Sequence, residues 1–256
     1  MMKILLEVRN LTKIFYFRKC IFYNQKVDAV KSVNFDLQAG QTLSIIGENG
    51  SGKSTLVRML SGILKPTDGE IFITGYPLKF RDYNYRNKRI RMIFKDPNKS
   101  LNPSQRIWQI LDFPLKLNTD LNKINRKKHI FQILKQVGLL NIHAEYYPHM
   151  LSFGQKQRVV IARALILQPD IIIADELFAS LDMFTRSQII NLMLELQKRQ
   201  NVSYIYVTHH LGIVKHVSDK VLVMSKGEIV EQGDTNKVLS SPLHNVTRRL
   251  IEKYFS

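Results

Sequence analysis

The run Gly47-Glu48-Asn49-Gly50-Ser51-Gly52-Lys53-Ser54 limits the folds open to this chain more than any other stretch. It fits the pattern G-x-x-x-x-G-K-[S/T]. Ahead of it, Thr42-Leu43-Ser44-Ile45-Ile46 is apolar and β-prone and predicts a buried strand. Behind it, Thr55-Leu56-Val57-Arg58-Met59-Leu60 predicts the opening turns of a helix. A glycine-rich loop between a strand and a helix curls its backbone so that successive N–H groups face an anion. The helix N-terminus adds partial positive charge at the same place. In that setting the Lys53 ammonium reaches β- and γ-phosphates and the Ser54 hydroxyl is a ligand for Mg²⁺. The alternative is a glycine turn that binds nothing, and the flanking strand and helix argue against it.

The rest of the chain alternates strand and helix signals. Residues 4–17 and 33–46 are strand-rich, with a break expected near Asn10 where the apolar alternation fails. Pro66-Thr67-Asp68-Gly69 reads as a turn before a strand at 70–74, and residues 81–91 read as a polar, basic stretch. An apolar run at 90–94 stops at Asp96-Pro97. Residues 103–165 turn helical, with Ile130, Ile133, Leu134 and Val137 on one face, Gly138 as a cap and a helix from Gln155 to Leu167. Ile171-Ile172-Ile173-Ala174 predicts a buried strand that ends at Asp175-Glu176. After a helix marked by Ile189, Leu192, Met193 and Leu196, a strand at 202–207 ends at Thr208-His209-His210. A hairpin around Lys226-Gly227 and a terminal helix at 243–254 follow. This order predicts an α/β fold with a mostly parallel sheet covered on both faces.

In such sheets ligands sit beyond the carboxyl ends of strands. The glycine loop, Asp175-Glu176 and His209 all fall at predicted strand ends. Asp175 is suited to hold Mg²⁺, directly or through water. Glu176 is suited to orient an attacking water and take its proton, and His209 to hydrogen-bond the γ-phosphate. The competing structural reading makes Asp175-Glu176 a helix cap and His209 an ordinary polar residue. His210, next along an extended backbone, is expected to point elsewhere. Phe15 and Tyr16 precede the loop, and spacing alone makes Phe15 a core aromatic rather than a purine platform.

Composition narrows the classes further. The 256 residues suffice for one large or two small domains, and 45% of them are hydrophobic, enough for a sizeable core. Lys and Arg number 38 against 21 Asp and Glu, a net +17 that favours a polyanionic partner or a solvated basic face. Cys20 is the single cysteine, which excludes an internal disulfide and a cysteine-rich metal site. It suits a reducing compartment. Ile4-Leu5-Leu6 is too short for a secretory signal, and no apolar run approaches the ~18 residues of a membrane span. The expectation is a soluble or peripheral protein.

Leu151-Ser152-Phe153-Gly154-Gln155, upstream of Asp175, is similar to the L-S-G-G-Q signature of the ATP-binding-cassette ATPases. Lys156-Gln157-Arg158, Ile161-Ala162-Arg163-Ala164-Leu165 and Ser180-Leu181-Asp182 also look like that family, and the resemblance covers essentially the whole chain. It implies a mixed-sheet core, an antiparallel β subdomain and a helical insertion. The divisions are 1–95 for the nucleotide-binding core with its β subdomain, 96–162 for the helical signature subdomain, 163–230 for the second part of the core and 231–256 for a C-terminal helical extension. ATP and Mg²⁺ are the implied cofactors, held by Gly47 to Ser54 and Thr55. Phe15 matches the adenine-stacking aromatic. Two such domains clamp head to tail, so Ser152, Phe153, Gly154 and Gln155 meet the ATP of the opposite subunit, and Asp182 acts across the same interface.

Ser100-Leu101-Asn102-Pro103, Tyr147-Pro148-His149 and Pro242-Leu243-His244 with Thr247-Arg248-Arg249-Leu250 are like the dipeptide and oligopeptide importer ATPases. Longer stretches, including Ile110-Leu111-Asp112-Phe113-Pro114-Leu115, look most like the Sap-type peptide transporters, a group associated with resistance to antimicrobial peptides. The implied partners are integral membrane permease subunits, whose coupling helix enters a groove on the helical insertion, and a second, homologous ATPase subunit. A periplasmic peptide-binding protein takes part indirectly, and nucleic acid is not expected. The implied place is the cytoplasmic face of the bacterial inner membrane.

Three departures stand out. Lys95 occupies the position of the Q-loop glutamine, and an ammonium cannot ligate a cation, so slow hydrolysis at this chain's own site is expected. Phe153 replaces a signature glycine. The C-terminus lacks a cysteine cluster, so no iron–sulfur site is expected. Lys95 and Phe153 suit one half of an unequal pair. The rivals are a nucleic-acid machine on the same cassette, a subunit that binds nucleotide without hydrolysing it, and a small-molecule kinase, which leaves Leu151–Gln155 unexplained.

Overall fold

The computed structural model describes residues 4–20 and 23–255, with side chains at 4–16 and 26–254, so the side chain of Cys20 lies outside the described residues. The chain folds as two compact units. One contains the residues up to Arg86 and those from Ser203 onward, and the other is Asn87–Val202. Residues 163–202 therefore lie in the second unit and 203–230 in the first.

The first unit opens with two long antiparallel strands, β1 (Ile4–Cys20) and β2 (Tyr23–Gln38). Their register slips around Asn10, which takes a left-handed φ of 47°. Asparagine tolerates that conformation, and its N–H donates to Asn34 Oδ1 at 2.8 Å. β3 (Thr42–Gly47) is buried along its whole length and leads through the glycine loop to α1 (Lys53–Leu60). β4 (Asp68–Ile73) and the short β5 (Tyr76–Pro77) complete an antiparallel sheet in the order β2-β1-β4-β5.

α2 (Tyr83–Arg89) falls within the stretch that the sequence presents only as polar and basic. Arg86 departs from that reading: it is 3% exposed. Its guanidinium donates to the carbonyls of Met59 at 3.0 Å and Leu60 at 3.1 Å, the open C-terminal end of α1. Burial pushes its pKa down, against the nearby Asp82 carboxylate.

The second unit begins with β6 (Ile90–Ile93), followed by α3 (Pro97–Ser100), which Asp96 caps by accepting from Asn98 N–H. α4 (Ile107–Asn118) and α5 (Lys123–Gln136) bury Ile107, Leu111, Ile130 and Leu134. Gly138, at φ 73°, ends α5 as its sequence position predicts. α6 (Phe153–Leu165) starts two residues before the expected Gln155, because Ser152 caps it. β7 (Ile171–Asp175) pairs in parallel with β6, and α7 (Met183–Gln200) closes the unit.

The chain then returns to the first unit with β8 (Ser203–Val207), α8 (Leu211–Val217), β9 (Lys220–Ser225) and β10 (Glu228–Asp234). β3 pairs in parallel with both β8 and β9, while β9 and β10 form the expected antiparallel hairpin. Parallel pairing thus holds at β3, β8 and β9 and at β6 with β7. The N-terminal strands are antiparallel, as the family resemblance implies and the strand–helix alternation alone does not. α9 (Thr235–Ser240), within the stretch 231–256 that the family resemblance makes helical, and α10 (Asn245–Phe255) cover β3 and β9 through Val214, Val221, Val223, Val238 and Val246.

Candidate functional site

The glycine loop is built for close backbone approach. Gly47, Gly50 and Gly52 have φ of 147°, 77° and 104°. A Cβ on Gly47 would lie 2.2 Å from the Met224 carbonyl oxygen, and one on Gly52 would lie 2.3 Å from that of Ala29. Only glycine fits either position. The loop is braced from outside, since Gly227 N–H donates to Ser51 O at 3.0 Å and Lys31 N–H donates to Gly227 O at 2.8 Å. These braces come from the β9–β10 turn and from β2, distant in sequence, and no local motif announces them.

Lys53 is 8% exposed and folds back over the loop. Its ammonium donates to Gly47 O at 2.8 Å, Glu48 O at 2.7 Å and Ser51 Oγ at 3.3 Å. Glu48, Asn49 and Gly50 form the exposed crest, and Ser54 and Thr55 at the start of α1 are half-buried. The loop therefore offers N–H groups, a helix N-terminus and an ammonium to one anion, which fits a polyphosphate. The Ser54 hydroxyl in this unit and the Asp175 carboxylate in the other are each the kind of hard oxygen donor that Mg²⁺ takes.

Asp175 and Glu176 stand where the sequence places them, at the end of β7, and both are half-buried. Glu176 takes φ 50°, and its carbonyl accepts from Ala179 N–H at 3.1 Å in a tight turn. Lys95, two residues past β6, donates to Glu176 Oε2 at 2.7 Å. That hydrogen bond and the charge of Glu176 push the Lys95 pKa up. The structure thus joins two residues that sequence reasoning assigned separately.

The signature residues open α6. Ser152 Oγ accepts from Gln155 N–H at 3.3 Å, and Gln155 Oε1 accepts from Ser152 N–H at 2.9 Å, a reciprocal cap. Ser152 stays exposed, and Phe153 and Gly154 are half-buried. A Cβ on Gly154 would come 3.0 Å from Thr185 Cγ2, so glycine lets α6 approach α7. Asp182 caps α7 by accepting from Thr185 N–H at 2.9 Å, and the bonds from Thr185 hold its carboxyl below the usual value. Met183 and Phe184 beside it are 81% and 73% exposed.

His209 follows β8 at its carboxyl end and is exposed. His210 does not point away from it: the ring centroids are 4.2 Å apart. His210, the N-cap of α8, keeps an extended backbone at φ −89° and ψ 93°, yet its ring lies beside that of His209. Phe15 lies on β1 opposite Val27, half-buried, with the Lys13 ammonium 5.1 Å over its ring.

The second unit also carries a cavity of about 470 Å³. Its lining includes Arg91, Phe94, Phe113, Leu117, Val160 and Arg163. Phe113 and Leu117 are mostly exposed. Burial pushes the Arg91 guanidinium down, and burial with the charge of Arg91 does the same to Arg163. Arg91 and Phe94 lie outside the helical insertion as read from the sequence, on and just past β6, so the sequence did not point to them as lining this cavity.

Residues 30–179 match the family described as "ABC transporter". The "Putrescine export system ATP-binding protein SapF" of Escherichia coli (strain K12) is 62% identical over 255 residues, covering 100% of this chain and 95% of its own. The "Peptide transport system ATP-binding protein SapF" of Salmonella typhimurium has the same identity and coverage. Among solved structures, the dimeric post-hydrolysis state of the ATP-binding cassette MJ0796 bound to ADP and Pi has a TM-score of 0.78 at 28% identity. The match covers 90% of this chain and 99% of that one.

Proposed function

Because the chain belongs to the ABC transporter family, we propose that it is the ATP-hydrolysing subunit of a complex that moves peptides inward across the bacterial inner membrane. The observation that carries this reading is the glycine cradle, closed to any side chain at Gly47 and Gly52 and spanned by Lys53. Lys53 trades its loop carbonyls for the more strongly charged phosphate oxygens. Ser54 and Asp175 hold Mg²⁺, which when bound offsets triphosphate charge. Glu176 orients the attacking water and accepts its proton, His209 donates a hydrogen bond to the terminal phosphate, and Phe15 stacks on the base.

A second, homologous ATPase subunit completes the machine. Ser152, Phe153, Gly154 and Gln155 face its nucleotide, and Asp182 acts across the shared interface. The exposed Met183 and Phe184 beside Asp182 supply apolar surface for that contact. The cavity bounded by Phe94, Phe113, Leu117, Arg91 and Arg163 suits an apolar permease helix that carries an acidic residue. Among the described residues no helix is long and apolar enough to cross a membrane. We infer a position at the cytoplasmic face through its permease partners, where the +17 charge meets an anionic leaflet. A periplasmic binding protein delivers cargo to those partners.

A second reading of cargo and direction, putrescine export, is favoured by the name of one relative at 62% identity. The test is Mg²⁺-ATP turnover of the complex reconstituted in vesicles, with Glu176→Gln in this chain only. Loss of roughly 10²-fold or more in turnover is expected. Turnover stimulated by peptide and its binding protein supports import, whereas stimulation by putrescine on the ATPase side supports export. Unchanged turnover in the variant removes this chain's site from hydrolysis.

A further inference from the structure

α5 carries Lys123, Arg126, Lys127, Ile130 and Phe131 at helical spacing, which puts them on one face. Trp108 and Asp112, one turn apart on α4, line the same cavity of about 310 Å³, with Glu145 from the short turn Asn141–Glu145. The cavity lies wholly within the second unit and has the size of a small-molecule site. Two ion pairs brace it. Arg126 donates to Asp112 Oδ1 at 2.6 Å and joins α5 to α4, with the two side chains only 17% and 19% exposed. Arg106 donates to Glu145 Oε2 at 2.8 Å, and its guanidinium lies 5.6 Å over the Tyr147 ring. Both carboxylates of the lining are thereby neutralised by arginines. Among the described residues neither Lys123 nor Lys127 makes an ion pair. Lys127 Nζ sits 5.6 Å over the Phe131 ring. The lining thus presents two aromatic rings and an excess of two ammonium groups.

We propose that this cavity binds a small aromatic dianion, a ring that carries two carboxylates or a phosphate monoester. The ring packs against Trp108 and Phe131, and its anionic groups meet Lys123 and Lys127, which are exposed. A neutral ring leaves both ammonium groups unanswered. An inorganic anion gains nothing from the aromatic walls and meets only solvated lysines. A lipid leaflet needs apolar side chains that project, whereas Trp108 and Phe131 are half-buried and Ile130 is buried.

Trp108 is the single tryptophan, so its emission reports this cavity. The test titrates the full chain with phthalate, a ring with two carboxylates. Succinate supplies the carboxylates without the ring, and benzyl alcohol the ring without charge. Phthalate is expected to change Trp108 emission saturably, with half-saturation at about 1 mM or below. The two controls are expected to bind roughly tenfold more weakly or worse. Lys123→Gln with Lys127→Gln is expected to weaken phthalate about tenfold at an unchanged melting temperature, since both positions are exposed. Calorimetric titration reads the same binding independently of emission. No saturable phthalate signal by either method overturns the proposal, as does equal binding of succinate or full affinity in the double variant. Emission that responds to phosphatidylglycerol vesicles and not to phthalate overturns it in favour of a membrane face. None of these signals passes through the glycine loop, so failure here leaves the nucleotide reading intact.

Discussion

At Gly47 a methyl group would stand 2.2 Å from the Met224 carbonyl oxygen, on a backbone at φ 147°. Both costs fall on backbone atoms that cannot rotate away. Gly47→Ala is expected to destabilise the protein by about 2–3 kcal/mol and to abolish nucleotide binding. Thermal unfolding together with titration of a fluorescent ATP analogue checks both. The glycine motif was legible from the sequence because its chemistry is local: spacing, φ and a following helix. Its support was not. Ala29, Met224 and Gly227 converge on the loop only after β2, β9 and the β9–β10 turn have paired. The same holds for Arg86, one basic residue among many until α1 presents carbonyls to it.

At the scale of elements, one carboxylate fastens the start of the C-terminal segment, beside the apolar packing of Val246, Leu250 and Ile251. Glu231 on β10 accepts from Leu243 N–H at 2.9 Å, His244 N–H at 3.0 Å and Thr247 Oγ1–H at 2.5 Å. The residues that mark the importer-like C-terminus, Pro242-Leu243-His244 and Thr247, are thus fastened to the sheet edge. Burial tends to raise the Glu231 carboxyl, but the three bonds outweigh it and hold its pKa below the usual 4.5. A folded value below the unfolded one means the stabilisation is complete above about pH 4.5 and is lost as pH falls through the lower folded value. Glu231→Ala is expected to cost about 1–2 kcal/mol and to loosen residues 242–255. Faster amide exchange there, with β3 unaffected, checks it. Sequence periodicity showed α10 but not α9 or this anchor, since Glu231 alternates along its strand like any exposed residue.

At the scale of the whole molecule, the excess of basic residues is spent partly on internal carbonyls and partly on the groove. Arg163 donates to Ser100 O, whereas Arg91 beside it presents its charge with Phe94 and Phe113 around the cavity. Arg91→Glu places a carboxylate next to Arg163, which preserves the fold while reversing the charge offered to a docking helix. Assembly with the membrane subunits is expected to weaken by roughly 30-fold or more. Co-purification at fixed salt, with the melting temperature as control, measures this. Composition showed a basic surface in search of an anion. It did not distinguish arginines that cap helices from arginines left for a partner.

The sequence by itself determined the phosphate-binding loop, the buried strands β3 and β7 that position it and Asp175-Glu176, the helices α5, α6 and α7, and membership of the family. These are carried by contiguous residues, where spacing and propensity act within a few positions. Only the tertiary structure decided the order β2-β1-β4-β5 and its register, because pairing depends on which distant strands meet. It alone set His210 against His209, at the N-cap of α8, and Lys95 against Glu176, just past the ends of two parallel strands. A contact between residues far apart in sequence has no local periodicity, so the sheet had to form before its chemistry could be read.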